Sequence, residues 1–80
     1  MRLDKYLKVS RIIKRRTVAN EACDAGRVIV NEKPAKAGLE IKIGDIIEIR
    51  FGANTTKIEV LAVKEQVRKE EANTMFRALD

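Results

Sequence analysis

The chain has 80 residues, of which 17 are Lys or Arg and 12 are Asp or Glu, for a net charge of +5. A chain of that length is one small domain, burying roughly 60% of the surface its unfolded form exposes, and it has little room for an enclosed substrate pocket. With one cysteine and no histidine, it lacks a disulfide framework, the residues of a structural zinc site and the commonest general base.

The four glycines stand singly, so there is no glycine-rich phosphate loop. No nucleophile sits beside an evident activator, and no spaced acid pair is apparent. The expectation is a non-enzymatic protein without metal or cofactor. The 45% hydrophobic fraction is ordinary for a globular domain. No stretch approaches the ~20 apolar residues of a membrane span, and the charged N-terminus does not read as a signal peptide. The single Cys23 suits a reducing compartment. A soluble cytoplasmic monomer is therefore expected, with no membrane partner.

The first sixteen residues carry Arg2, Lys5, Lys8, Arg11, Lys14, Arg15 and Arg16, opposed only by Asp4, a net +6. The other sixty-four residues sum to −1. Clustering of this kind is the electrostatic footprint of a polyanion binder. Leu3, Tyr6 and Leu7 recur at i, i+3, i+4 and predict a first helix of about two turns, ending at Ser10. Tyr6 reads as a core aromatic in preference to a base-stacking one. Ile12 and Ile13 anchor the basic corner that follows.

Thr17 reads as the N-cap of a second helix, Val18 to Ala25, with Gly26 as its stop. Ala19, Ala22 and Cys23 share one small-residue face, and Cys23 reads as a core hydrophobe. Arg27 to Asn31 then alternates as a short strand. Asn31 to Pro34 reads as a turn, with Ala35 to Ala37 pairing back as a hairpin. Leu39, Ile41 and Ile43 predict an extended, half-buried connection. Ile46 to Phe51 and Lys57 to Val63 are further strands, separated by a turn over Gly52 to Thr55. Ala72, Met75, Phe76 and Leu79 stand at i, i+3, i+4 and i+7 and predict an amphipathic helix over Arg68 to Leu79. It packs on its own domain or docks a partner. The predicted architecture is α+β: two N-terminal helices, a small mostly antiparallel sheet and a short C-terminal helix.

The chemistry that remains is binding. Guanidinium and ammonium groups neutralise phosphates and release counterions. Arg15, Arg16 and Thr17 stand where the second helix begins and are expected to converge on one phosphate. Asn31, Lys33 and Lys36 on the hairpin offer a second contact, with Asn31 able to meet a 2′-hydroxyl or a base edge or to act only as a turn-former. The second helix shows Ala19, Asn20, Ala22, Cys23 and Asp24 but no basic residue, which disfavours a helix reading bases in a DNA major groove. Structured RNA, recognised through backbone and shape, fits better.

RLDKYL, SRIIKRRT, AGRVIVN and KIGDIIEI, in that order and spacing, resemble the S4 RNA-binding domain family. The likeness extends through RFG and RKEEANTM to the free-standing S4 factors of bacterial ribosome-associated quality control, and more distantly to the ribosome-associated heat-shock S4 proteins. The resemblance implies an S4-like (alpha-L) fold with an RNA-binding domain over residues 1–64 and an amphipathic extension over 65–80. It implies binding to the obstructed large (50S) ribosomal subunit through rRNA and peptidyl-tRNA, with P-site tRNA held while an RqcH-family partner drives alanine tailing. The basic cluster and the hairpin together give the expected RNA-binding residues: Arg2, Lys5, Lys8, Arg11, Lys14, Arg15, Arg16, Thr17, Asn31, Lys33 and Lys36. Arg2, Asp4 and Arg16 match motif positions, with Asp4 orienting a corner cation or facing a basic partner. The alternatives are a general rRNA- and tRNA-binding heat-shock-type protein, and a protein-interaction module docking through the C-terminal helix.

Overall fold

The structure is a computed structural model and describes residues 1–79. Helices α1 (Leu3–Val9) and α2 (Arg16–Asp24) precede five strands: β1 (Val28–Val30), β2 (Lys33–Pro34), β3 (Ile46–Phe51), β4 (Asn54–Val60) and β5 (Phe76–Leu79). The strands form one sheet in the order β2-β1-β3-β4-β5, and every pairing is antiparallel. The α+β architecture with two N-terminal helices is the one expected from sequence.

Strand alternation sends one side chain in two to the core. Val28 and Val30, Ile47 and Ile49, and Ile58 and Val60 are the inward pairs of β1, β3 and β4. They meet Leu3, Tyr6 and Leu7 of α1 and Ala19, Ala22 and Cys23 of α2. The small residues of α2 are buried, as predicted. Their size permits close approach by neighbouring elements, and burial pushes the Cys23 thiol up to about 11, with the Asp4 and Asp24 charges adding to it. Cys23 is a core residue and not a reactive thiol.

Helix α1 ends at Ser10 as expected, but the residue after it is Arg11 at φ 63°. That left-handed position usually holds glycine. Helix α2 starts two residues earlier than predicted. Arg15 occupies the N-cap position with no side-chain cap, and Thr17 lies inside the first turn. Its far end follows the prediction: Gly26 has φ 75°, its N–H reaches the Cys23 carbonyl, and the Arg27 N–H reaches that of Ala22. This is a Schellman ending.

The hairpin turn is tighter than expected. Val30 pairs with Lys33, so only Asn31 and Glu32 make the turn, at φ 50° and 71°. Positive φ at both central positions marks a type I′ turn, whose handedness matches strand twist. The returning strand is therefore Lys33–Pro34 and not Ala35 to Ala37. Asn tolerates this conformation, whereas Glu has no such excuse. Glu32→Gly is expected to raise stability by about 0.5–1 kcal/mol, the left-handed penalty less the entropy that glycine adds to the unfolded chain. Thermal or urea unfolding of the purified variant checks this.

Three further boundaries moved. Of Leu39, Ile41 and Ile43 only Ile41 is buried, and Ile43 is 69% exposed. This connection is shaped by its backbone: the Leu39 and Ala37 carbonyls accept from the N–H groups of Leu3 and Asp4, which have no partner within α1. Strand β4 begins at Asn54, directly after a two-residue turn, and ends at Val60 instead of Val63. The C-terminal helix is a 3₁₀ helix confined to Lys69–Thr74, and the chain then becomes β5. Ala72 and Met75 are both buried, and a three-residue spacing aligns side chains in a 3₁₀ helix as well as in an α-helix. The free edge of β4 from Lys57 to Val60 supplies the backbone partners that turn Phe76–Leu79 into a strand. Asp80, the last residue of the predicted extension, lies outside the described residues.

The Met75 carbonyl ties this segment down. It accepts from the Tyr6 hydroxyl at 2.7 Å, the Leu61 N–H at 2.8 Å and the Ala62 N–H at 3.2 Å. Tyr6 is fully buried, in agreement with its reading as a core aromatic, and its ionisation is pushed well above the usual phenol range by burial.

Candidate nucleic-acid interface

The basic residues of the N-terminal segment occupy distinct places on the surface, and Asp4 organises the first of them. Asp4 is 2% exposed although charged, and a buried carboxylate requires partners. Its Oδ1 accepts the Lys5 backbone N–H at 2.8 Å and the Arg2 Nε–H at 3.3 Å. Its Oδ2 accepts from Arg16 Nε and Asn20 Nδ2, each at 3.3 Å, with Arg2 Nη2 at 3.5 Å. Burial raises the Asp4 pKa, but the Arg16 and Asn20 hydrogen bonds, the Lys5 N–H and the Arg16 charge outweigh it and hold the carboxyl below its usual 3.8.

Arg2 and Arg16 thus share one carboxylate while their side chains remain 53% and 47% exposed. The shared anion offsets the repulsion between two neighbouring guanidiniums and leaves the unused N–H groups at the surface. The spacing comes from tertiary structure: Arg2 precedes α1, Arg16 begins α2, and packing of the two helices brings them to the same acid. The Arg2 guanidinium also lies alongside Gly38, about 3.9 Å from where a side-chain carbon would stand. Asp4 thus contacts both Arg2 and Arg16. Thr17 lies beside this cluster with Asn20 and Glu21. Arg15 is exposed at the N-cap of α2.

Lys8, Arg11 and Lys14 line a different recess, at the corner between the helices, together with Glu65, Gln66, Val67 and Lys69. Lys5 points to this side and pairs with Glu65. On the hairpin, Lys33 and Lys36 share a shallow recess with Gly38, Leu39 and Lys42. Asn31 borders it, but its side-chain amide is engaged: Nδ2 donates to Asp45 Oδ1 at 3.1 Å and Oδ1 accepts the Ile46 N–H at 3.0 Å. Its turn-forming role is thereby visible, and it fastens the hairpin to the start of β3.

Sequence reasoning overlooked Asn20, Glu65 and Lys69. The signal for Asn20 was available, since it stands one turn after Arg16 on the same helical face. Glu65 and Lys69 had no local signal, because they reach the corner only through the path of the chain after β4.

The S4 domain family model matches residues 1–47. The chain belongs to the S4 domain family. Among its S4-domain relatives, the RQC P-site tRNA stabilizing factor of Halalkalibacterium halodurans is 58% identical over 76 residues, covering 95% of this chain and 86% of the relative. The protein of the same name from Bacillus subtilis is 48% identical over 79 residues, covering 99% and 92%. The solved structure of trimeric heat shock protein 15 from Vibrio cholerae superposes with a TM-score of 0.91 at 31% identity, covering 99% of this chain and 81% of that one. The S4 match spans α1, α2, the hairpin and the start of β3, and so contains every candidate RNA-binding residue predicted from sequence.

Proposed function

We propose that this S4-domain chain is an RNA-binding factor of bacterial ribosome-associated quality control, acting in the cytoplasm on the large ribosomal subunit. In this reading it binds the obstructed 50S subunit through rRNA and peptidyl-tRNA as a monomer. It stabilises P-site tRNA while an RqcH-family partner extends the stalled chain with alanine, and it works by binding and not by catalysis. The observation that carries the reading is the pair of half-exposed arginines, Arg2 and Arg16, held on buried Asp4. Planar guanidiniums fixed at both ends of one carboxylate are pre-oriented for phosphate oxygens. The names of the relatives, RQC P-site tRNA stabilizing factors, supply the ribosomal setting.

Co-sedimentation with isolated large subunits, with and without peptidyl-tRNA, tests it. Binding is expected to be stronger with peptidyl-tRNA and to fall with salt. About five phosphate contacts give a log–log slope near −4. A second reading, a general rRNA- and tRNA-binding protein of the heat-shock type, is favoured by the close superposition on heat shock protein 15. Equal binding to empty and peptidyl-tRNA-bearing subunits selects it.

A further inference from the structure

The structure assigns a second phosphate-binding place on this chain: the recess between the α1–α2 corner and residues 65–69, where Glu65 is a resident anion that an RNA backbone phosphate displaces. The inference rests on the RNA-binding reading above and adds to it the segment after β4, which lies outside the matched S4 region.

The recess is open, about 590 Å³, and is lined by Lys8, Val9, Arg11, Lys14, Glu65, Gln66, Val67 and Lys69. Four cations face a single acid. Lys8, Arg11, Lys14 and Lys69 are all exposed, and none forms an ion pair among the described residues. Valines 9 and 67 form apolar wall between them, and low-dielectric walls concentrate the field of surrounding charge. Such a site favours an anion.

Two features select the phosphate backbone of RNA among anions. Aromatic rings are absent from the lining, so bases find no stacking platform, and recognition is confined to charge and shape. The cations also come from separate elements: Lys8 from the last turn of α1, Arg11 and Lys14 from the corner, and Lys69 from the 3₁₀ helix. That arrangement spreads contacts along a chain of phosphates instead of enclosing one small ion. Arg11 adds an independent sign. It keeps a bulky side chain at φ 63°, a backbone position where glycine is less strained. A local rule broken at an exposed cation marks a place where the charge is needed.

Glu65 has a different task. It is 70% exposed and pairs with Lys5, so it contributes nothing to the core. Its carboxylate is the single acid in a lining with four cations, so it competes with an incoming phosphate for them. Loose or short polyanions displace it poorly, whereas a ligand already held at Arg2 and Arg16 brings its next phosphates at high local concentration.

The test uses the full chain and isolated large subunits bearing peptidyl-tRNA, with affinity measured at several salt concentrations and folding followed by circular dichroism. Lys69→Gln is expected to weaken binding about 3- to 10-fold and to make the log–log slope shallower by about 0.8, one phosphate contact. Lys69→Arg restores both. Glu65→Gln is expected to tighten binding about 3- to 10-fold with an unchanged melting temperature. If Lys69→Gln and Glu65→Gln bind like the parent while Arg16→Gln binds weakly, the recess is not a phosphate site and the proposed function stands. A loss in Lys69→Gln that tracks falling helix content and is not restored by Lys69→Arg also overturns the inference. Failure of the parent chain to bind at all overturns the proposed function, and the recess with it.

Discussion

Replacing Asp4 with Ala is expected to lower stability by about 1–3 kcal/mol and to weaken RNA binding together with it. Removing one partner of a buried ion pair costs about 3–5 kcal/mol when both charges are buried. Here the carboxylate is buried but Arg2 and Arg16 are about half exposed, so water screens the charges left behind and the loss is smaller. The Lys5 N–H and the Asn20 amide lose their acceptor as well. Asp4→Asn keeps an oxygen for the Lys5 N–H but not the charge, so it should fall between the parent and Asp4→Ala. Urea unfolding of the three proteins checks the order.

The pH dependence follows from the same geometry. The folded pKa of Asp4 is depressed below 3.8, so folding favours its ionised form. The stabilisation is fully present above the unfolded value and is lost as pH falls through the folded one. The parent should therefore lose stability on acidification below about pH 4, and Asp4→Asn should lose less over that interval. Parallel loss in both proteins would assign acid sensitivity to other carboxylates.

The second large effect is expected at Met75. Met75→Ala should destabilise the protein by about 2–5 kcal/mol, the range for truncating a buried long side chain. Met75 is fully buried, and its carbonyl receives Tyr6, Leu61 and Ala62. A domain of this size has roughly 4–12 kcal/mol of total stability, so a single truncation removes a large share. Deletion of everything after Lys64 should do more, because it also removes β5 and bares the edge of β4. Such a deletion is expected to unfold the protein, and for that reason it does not separate RNA binding from partner docking. Thermal unfolding of Met75→Ala, with Lys69→Gln as an exposed control from the same segment, checks the assignment. A near-parental melting temperature for Met75→Ala would show that the C-terminal segment contributes little to the core.

The amino-acid sequence by itself determined a good deal. The spacing of Leu3, Tyr6 and Leu7 located α1, Gly26 located the end of α2, and Ile46 to Phe51 was read as β3 with its observed limits. These elements were legible because period and stop signals are local properties of the chain. The concentration of cations before Thr17, and the odd presence of Asp4 among them, likewise stood in the sequence. Other features depended on contacts between distant residues. The segment after Arg68 carries a spacing that suits helix and 3₁₀ turn alike, and it was the unpaired edge of β4 that made its end a strand. The sharing of Asp4 by Arg2 and Arg16 required the packing of α1 on α2. The recess that joins Lys8, Arg11 and Lys14 to Lys69 required the chain to return past the corner after β4, a long-range path that no local pattern encodes.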